Sequence, residues 1–299
     1  MLTTADATII VVSYNKRKYT ELCLDSMLRG MPRPSQIVVV DNGSTDGTVP
    51  FLEDRFPELA EEAGVDFDLI RNDTNVGACT ARNQGLSVAC GEYIGFMDND
   101  VAVRSSEWLS ILAGVLEEAT SNGIVGPKLV FPFEPYNIQH AGAAISRTGR
   151  VKYLGRGKQI DAPEHNQRRE VQCLISACWL MKGEIPDKIG GLDEIFNPAQ
   201  FEDFDFCYRA REAGWKVLYD PVAEMYHYES VTTDNSPDVN YKYVTVRNGM
   251  EFKRRWRQMF EQEDGPSDEE CHWERLETRP IEQTGIPPIV DRDGKPCSP

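Results

Sequence analysis

The chain has 299 residues and carries 48 acidic against 32 basic side chains, which gives it a formal net charge of −16 at pH 7. This charge disfavours nonspecific binding of nucleic acid or of an anionic membrane over most of the surface. The sequence shows no secretory signal and no CxxC pair among its eight cysteines, and no apolar run approaches the roughly 20 residues that span a bilayer. We therefore expect a cytoplasmic protein with reduced thiols and no transmembrane segment.

Four short apolar runs recur through the first third of the chain, and each of them ends in Asn, Asp or Ser. The runs are TIIVVSYN (8–15), QIVVVDNGS (36–44), FDLIRND (67–73) and EYIGFMDND (92–100). Nearly continuous Val and Ile, as in the first two runs, is typical of parallel strands that are covered on both faces. Helical patterns over 16–29 and 77–89 lie between the runs. This alternation predicts right-handed βαβ units and an α/β fold, with a Rossmann-like, mostly parallel sheet flanked by helices.

The polar residues that end these runs predict a shared binding crevice. Ligands of such sheets bind beyond the carboxyl ends of the strands, near the point where the strand order reverses. We therefore expect Asn72 and Asn99 among the substrate-binding residues. Two phosphate-binding loops are absent from the sequence, because no GxxxxGK[ST] occurs and Ile160 stands where the third glycine of GxGxxG belongs in LGRGKQI (154–160). A P-loop kinase and an ordinary dinucleotide-binding dehydrogenase are accordingly disfavoured.

Asp98 and Asp100 follow the fourth run and are separated by one residue. Residues two apart in a strand point the same way, so these carboxylates would aim at one point and repel each other. A divalent metal ion between them is one interpretation, and a solvated turn at the strand end is the other.

The rest of the chain is less regular. After a helix near 105–120, residues 124–175 are predicted to form short strands and loops over the sheet, a usual place for a second-substrate site. An apolar run (173–181), a turn (190–194), a helix (201–214), a strand with a loop (216–230) and a helix (241–260) follow. Residues 261–299 hold eleven acidic side chains, four basic ones and six prolines. Such a tail is predicted to be poorly ordered or draped over the body.

Two charged clusters mark the helices of this second half. Glu202, Asp203 and Asp205 stand at the start of a helix, where its dipole favours acids without any catalytic role. The neighbouring phenylalanines would partly bury this turn and raise carboxyl pKa values toward useful basicity, and Asp205 is expected to form an ion pair with Arg209. The basic cluster KRRWR (253–257) is interpreted as a solvated helix end, with a grip on the acidic tail or a membrane-surface patch as alternatives.

Seven stretches of the sequence, taken in order, resemble the family-2 glycosyltransferases. They are VVSYN (11–15), VVVDNGSTDGT (38–48), NVGACTARNQG (75–85), DND (98–100), GGLDE (190–194), FEDFDFCYRAREAG (201–214) and the histidine of MYHYES (225–230). Each stretch alone is weak, but seven in the family's order form a specific signal. The resemblance implies an A-type glycosyltransferase fold in one domain over 1–260, with a nucleotide-binding half (1–103), a mixed acceptor-binding half (104–260) and the acidic, proline-containing tail 261–299.

The resemblance also implies roles for single residues on the donor side. Tyr14, with Ser13 beside it, is similar to the aromatic residue that stacks on the nucleotide base. Asp41 resembles the carboxylate that accepts hydrogen bonds from the base or ribose. Gly77 opens the helix on which Arg82 resembles the arginine that reaches the base and the diphosphate.

The implied chemistry needs a metal ion and a base. Asp98 and Asp100 resemble the family's metal-binding pair, completed by His227, and the histidine favours Mn²⁺ over Mg²⁺. Asp203 resembles the general base, and Glu202 is expected to contact the acceptor or neighbouring backbone.

These implied roles lead to one functional hypothesis and two alternatives. We expect an inverting, metal-dependent glycosyltransferase that moves a sugar from a nucleotide-sugar donor, expected to be a UDP-sugar, to a hydroxyl acceptor. The acceptor is a carbohydrate, a lipid carrier, a protein or a small molecule. The alternatives are a sugar-phosphate nucleotidyltransferase, disfavoured because VVSYNKRKY has no glycine, and a catalytically silent nucleotide- or glycan-binding module.

Overall fold

The computed structural model describes residues 5–229, 231 and 239–297. Its strands are β1 (Ala5–Ser13), β2 (Pro34–Asp41), β3 (Asp66–Arg71), β4 (Tyr93–Asp98), β5 (Val101–Val103), β6 (Asn122–Val130), β7 (Ile138–His140), β8 (Ala143–Ile145), β9 (Val151–Tyr153), β10 (Arg169–Glu170), β11 (Cys178–Lys182) and β12 (Lys216–His227). Its α-helices are α1 (Arg17–Arg29), α2 (Thr48–Pro50), α3 (Phe56–Ala63), α4 (Ala78–Leu86), α5 (Trp108–Glu117), α6 (Glu184–Ile189), α7 (Glu202–Glu212), α8 (Tyr241–Phe260) and α9 (Ile281–Thr284). A π-helical turn (Phe51–Arg55) joins α2 to α3.

The strands form one large sheet and a separate pair, β8–β9. The large sheet has the order β10-β12-β6-β11-β4-β1-β2-β3, with β5 beside β12 and β7 beside β6. Strands β3, β2, β1 and β4 are mutually parallel, and β6 is parallel to β12. Strand β11 runs antiparallel between β4 and β6. The predicted α/β class with a mostly parallel sheet is therefore confirmed.

The register of the first four strands brings their polar ends together. Ser13 pairs with Asp41, and Val12 pairs with Asp98. Strand β2 continues on one side of β1 and β4 on the other, so the strand order reverses at β1. Ligands of open α/β sheets bind at such a switch point. The fold thus places the last residue of β4, Asp98, at this point.

Burial on both faces of the sheet explains the continuous apolar runs. Along β1, Ile9 and Val11 belong to one buried cluster with α1 and α5, whereas Ile10 belongs to the opposite cluster with α4 and α7. Alternate side chains of a strand point to opposite faces, so a strand covered on both faces is apolar at most interior positions; the buried polar residues Thr8 and Gln36 are hydrogen-bonded to each other.

Several boundaries differ from the predicted ones. The first strand ends at Ser13 rather than at 15, because Asn15 and Lys16 adopt left-handed φ angles of 56° and 63°, and α1 begins after them. Of the apolar run 173–181, only the end is strand, beginning at Cys178. The segment 124–175 is predicted to hold only short strands, but β6 has nine residues and all of them are buried. The last residue of the predicted strand and loop 216–230 lies outside the described residues.

The C-terminal tail lies across the body, in agreement with one of the two expectations. Val290 forms a β-bridge with Ser105, and the Glu282 carboxylate lies 2.8 Å from Nζ of Lys18. The Ile281 amide donates to the Tyr19 hydroxyl at 3.1 Å. In the part of the chain described above, no helix has both the length and the apolar character needed to cross a bilayer.

The two charged clusters of the second half are held by ion pairs. Asp205 and Arg209 form the predicted pair, at 2.8 Å. Arg255, in the basic cluster 253–257, contacts carboxylates of Asp193, Asp205 and Glu251. Arg254 and Arg257 are exposed, as a solvated helix end predicts, whereas Arg255 is held by these carboxylates.

Candidate active site

A cavity of about 890 Å³ opens beyond the carboxyl ends of β1, β4 and β12. The residues that line it at these strand ends are Tyr14, Asp98, Asn99, Asp100 and His227. The start of α7 and one face of α8 close the opposite side. The sequence-predicted crevice therefore exists, and it is extended by elements from the second half of the chain.

Asp98, Asp100 and His227 form a compact group of metal-ligating side chains. One ligand atom from each lies within 4.8 Å of the others. Strand β12 delivers the histidine, because His227 pairs with Val101 of β5 and the Tyr228 amide donates to the Asp100 carbonyl at 3.1 Å. Two carboxylates and one imidazole are a donor set that fits Mn²⁺ or Mg²⁺.

The orientation of His227 is fixed by a residue that the sequence did not indicate. The Gln139 side-chain oxygen lies 3.1 Å from Nδ1, while Nε2 faces Asp100 at 3.4 Å. A proton on Nδ1 donated to Gln139 leaves the Nε2 lone pair free for a metal ion, which is the usual second-shell arrangement of a histidine ligand. Burial opposes protonation of His227, but the Asp100 carboxylate outweighs it and raises the pKa of the imidazole.

Arg82 is buried at the floor of the site and joins its two halves. Its Nη2 lies 2.5 Å from Oδ1 of Asp98, and its Nη1 lies 3.2 Å from Oε1 of Glu202. The guanidinium also lies over the Phe96 ring at 5.6 Å. Burial raises the pKa of Asp98, Arg82 counteracts this rise, and the neighbouring Asp100 adds to it. In this arrangement the arginine is paired with protein carboxylates.

Asp203 and Glu202, at the start of α7, have different surroundings. Asp203 is partly exposed, and its two oxygens accept hydrogen bonds from the Ser176 amide at 3.2 Å and the Phe204 amide at 2.8 Å. Burial outweighs these bonds and raises its pKa to about 6. Glu202 is buried against Arg82 and lines the same cavity, so the acceptor contact expected from the sequence stays a prediction. Its pKa rises to about 8 because of burial and of its neighbour Asp203.

The predicted donor-side residues divide into two groups. Tyr14 and Asn99 line the cavity, and Asn99 also donates to the Thr20 hydroxyl at 3.0 Å. Ser13, in contrast, is buried with its hydroxyl 3.1 Å from that of Thr20, so it faces α1 and not the cavity. Asp41 is buried as well; one of its oxygens accepts from the Ser44 amide at 2.8 Å, and the other has no hydrogen-bond partner in the described structure.

Two further predicted residues have structural partners next to the cavity. The Asn72 amide exchanges hydrogen bonds with Gln84 and donates to Asn42. Gly77 has φ 89° and ψ 160°, and a Cβ there would lie 2.5 Å from Oδ1 of Asn197. The glycine therefore permits the close approach by which Asn197 accepts a hydrogen bond from the Cys79 amide at 3.1 Å, at the start of α4.

Comparison with known proteins gives a consistent family signal. A sequence profile described as "Glycosyl transferase family 2" matches residues 8–190, more than half of the chain. The chain is 26% identical to the N-acetylglucosaminyl-diphospho-decaprenol L-rhamnosyltransferase of Mycobacterium tuberculosis (strain CDC 1551 / Oshkosh), over 77% of this chain and 78% of that protein. It is 29% identical to the uncharacterized protein y4gI of Sinorhizobium fredii (strain NBRC 101917 / NGR234), covering 83% of this chain but 27% of that longer protein.

A solved structure supports the predicted fold. The crystal structure of GalNAc-T7 with UDP, GalNAc and Mn²⁺ superimposes with a TM-score of 0.68 and 16% sequence identity, covering 85% of this chain and 49% of that one. At this identity the likeness concerns the fold, and it confirms the A-type architecture expected from the sequence.

Proposed function

The chain belongs to glycosyl transferase family 2 and is a glycosyltransferase, and we propose that it is an inverting, metal-dependent enzyme that uses a nucleotide-sugar donor. The observation that carries the proposal is the cluster of Asp98, Asp100 and His227 at the strand-order switch point, in the same cavity as Asp203. The donor we propose is a UDP-sugar, and UDP with Mn²⁺ is bound in the GalNAc-T7 structure. The catalytic domain is proposed to span 1–260, with halves 1–103 and 104–260, followed by the tail 261–299.

Asp98, Asp100 and His227 are the residues proposed to hold Mn²⁺ or Mg²⁺. When bound, the ion supplies Lewis-acid stabilisation of the charge that develops on the departing diphosphate. Arg82 keeps Asp98 in place through its contact at 2.5 Å. Gln139 holds His227 in the orientation that leaves Nε2 available.

Asp203 is proposed to be the general base. As the acceptor oxygen forms its bond to the anomeric carbon and the bond to the diphosphate breaks, the hydroxyl proton passes to a carboxylate oxygen of Asp203. The Ser176 and Phe204 amides orient this carboxylate. A pKa raised to about 6 suits the task, because the group is ionised at neutral pH yet more basic than an ordinary aspartate. Glu202 is proposed to support the site by accepting a hydrogen bond from Arg82.

Three further predicted residues are proposed to bind the donor. Tyr14 is positioned at the cavity wall to stack on the base. Asp41 has one oxygen without a partner, which is available for a base or ribose donor after a small rearrangement. Asn99 lies between the two metal-binding aspartates and lines the cavity.

Thermal unfolding with nucleotide sugars tests the proposal. A UDP-sugar at 100 times its dissociation constant adds about 2.7 kcal/mol to the free energy of unfolding. We expect this stabilisation with Mn²⁺ present and its loss after addition of EDTA. Release of a nucleoside diphosphate during transfer identifies glycosyl transfer, whereas release of pyrophosphate would identify nucleotidyl transfer and contradict the proposal.

A further inference from the structure

Trp273, in the C-terminal tail, is the most exposed large aromatic side chain of the cavity. It lines the cavity although 62% of its surface is exposed. It lies beyond residues 8–190, the part of the chain that matches the family profile, and after all seven stretches that carry the family resemblance, so that resemblance assigns it no role. Single exposed apolar residues are ordinary on protein surfaces. Two further features distinguish Trp273 from such an ordinary exposed residue.

The first feature is that the tail is anchored where Trp273 enters the cavity. The Asp268 carboxylate accepts hydrogen bonds from the hydroxyls of Ser146 at 2.6 Å and Thr148 at 2.7 Å. Lys152 lies 2.6 Å from the Glu270 carboxylate. These contacts, which lie in the turn after β8 and in the middle of β9, fix the tail just before the tryptophan.

The second feature is that the indole ring is held in one orientation. The Arg156 guanidinium lies over the ring, 4.1 Å from its centroid, and Nε of Arg156 donates to the Glu274 carbonyl at 2.9 Å. Arg156 is itself fixed by a two-pronged ion pair with Glu229 at 2.9 and 3.1 Å. Tyr153 meets the ring edge-to-face at 5.4 Å. The ring is therefore supported on one side by a buried ion pair, while most of its surface remains open.

The ring lines the same cavity as the proposed base, Asp203. Tyr153 contacts Trp273 on one side and the Phe204 ring at 6.4 Å on the other, and Phe204 directly follows Asp203. Glu229 and Lys253 also line this part of the cavity and offer polar groups for hydroxyls. A rigid aromatic surface flanked by polar groups is the composition of a carbohydrate subsite, because the C–H face of a pyranose packs on a ring while its hydroxyls bond at the edges.

From this arrangement we propose that Trp273 is the platform of the acceptor subsite and that the acceptor presents a pyranose ring there. This inference rests on the proposed function. It selects among the acceptor classes that the sequence left open: the acceptor is a glycan or a glycosylated carrier. The part of the tail that lines the cavity, Cys271 and Trp273, then belongs to the acceptor site.

Saturation-transfer NMR with the full-length protein tests the platform. The probes are methyl β-D-glucopyranoside, methyl β-D-galactopyranoside and methyl N-acetyl-β-D-glucosaminide, measured in the presence of Mn²⁺ and UDP. We expect transfer to ring protons of at least one pyranoside, a roughly tenfold weaker affinity in Trp273→Ala and an intermediate affinity in Trp273→Phe. Ile286→Ala is the matched control, because Ile286 is 70% exposed in the same tail and is absent from the cavity lining.

The outcomes separate this inference from the proposed function. Unchanged pyranoside binding in both Trp273 variants would overturn the platform. Absence of transfer to all three probes would overturn it as well, because an indole ring recognises the apolar face that pyranoses share. Mn²⁺-dependent stabilisation by the UDP-sugar is measured on the same samples and should persist in Trp273→Ala; its absence in the wild-type protein would instead contradict the proposed function. If limited proteolysis shows that the Trp273→Ala substitution releases the tail, the pyranoside affinity of Trp273→Phe tests the platform instead. An affinity equal to that of the wild-type protein would then overturn it.

Discussion

Replacing Asp203 by asparagine tests its proposed role in catalysis separately from its effect on the stability of the fold. The side chain keeps its shape and can still accept a hydrogen bond from the Ser176 or Phe204 amide, but it can no longer take a proton. Removal of a general base typically costs about 10²–10⁴-fold in rate. We therefore expect the turnover of Asp203→Asn to fall by this factor, while nucleotide binding in the presence of Mn²⁺ stays within about twofold, since Asp203 does not belong to the metal-ligating group.

The same change is expected to leave the fold as stable as before or to stabilise it. The folded-state pKa of Asp203 is raised from its ordinary 3.8 to about 6, so the folded protein binds its proton more tightly than the unfolded chain does. The free energy of unfolding therefore decreases as the pH rises from about 4 to about 6, and the loss is complete above that range. If Asp203 were fully buried, this rise in its pKa would correspond to a loss of roughly 3 kcal/mol in the free energy of unfolding. Because the side chain is partly exposed, we expect a gain of roughly 1 kcal/mol for Asp203→Asn at pH 7.5.

The assay combines initial rates from pH 5 to pH 8 with urea unfolding of each variant. For the wild-type enzyme, kcat/KM should fall tenfold per pH unit below about pH 6, where Asp203 becomes protonated. Asp187→Asn is the control, since Asp187 is exposed on α6 and does not line the active-site cavity. Nearly normal turnover by Asp203→Asn would remove this residue from the mechanism. A large loss of stability at pH 7.5 would refute the argument that its ionised form is disfavoured.

Three other changes test the supporting structure. Asp100→Ala should weaken Mn²⁺-dependent binding of UDP by at least about tenfold in calorimetric titration. Even the loss of a residue that only supports a metal ligand typically lowers metal affinity by about 10–100-fold. An unchanged affinity for UDP would contradict the metal role of Asp100. Gly77→Ala should lower the free energy of unfolding by roughly 1–3 kcal/mol, since φ is 89° and the new Cβ would lie 2.5 Å from Asn197. Gly190→Ala separates the backbone strain from the clash, because Gly190 has a similar conformation (φ 78°, ψ 171°) and nothing lies within 4 Å of the new Cβ. Glu202→Gln should reduce the loss of stability that the wild-type protein shows as the pH rises to about 8, most clearly above about pH 6, where Asp203 no longer contributes. The reason is that the raised pKa of buried Glu202 makes the folded state bind its proton more tightly; an unchanged pH profile in urea unfolding would contradict this.

The sequence predicted the parallel core and the place of the cavity, because both depend on short stretches of the chain. A strand covered on both faces is apolar at most interior positions, so the Val and Ile runs at β1 and β2 are visible in the sequence itself. The polar residues that follow such strands lie at one edge of the sheet whatever the details of the packing. The placement of Asp98 in a crevice therefore follows from the order of residues along the chain, and the cavity lies there.

The partners of these residues were decided by the tertiary structure. Arg82 contacts Glu202 across 120 positions of sequence, and His227 contacts Gln139 across 88. Trp273 reaches the cavity because the tail packs beside β9. Such contacts depend on how distant elements are brought together by burial and strand pairing, and they leave no local period or spacing in the chain. The sequence alone thus determined which side chains end the strands, whereas only the folded packing decided which of them are paired, buried or left open to a ligand.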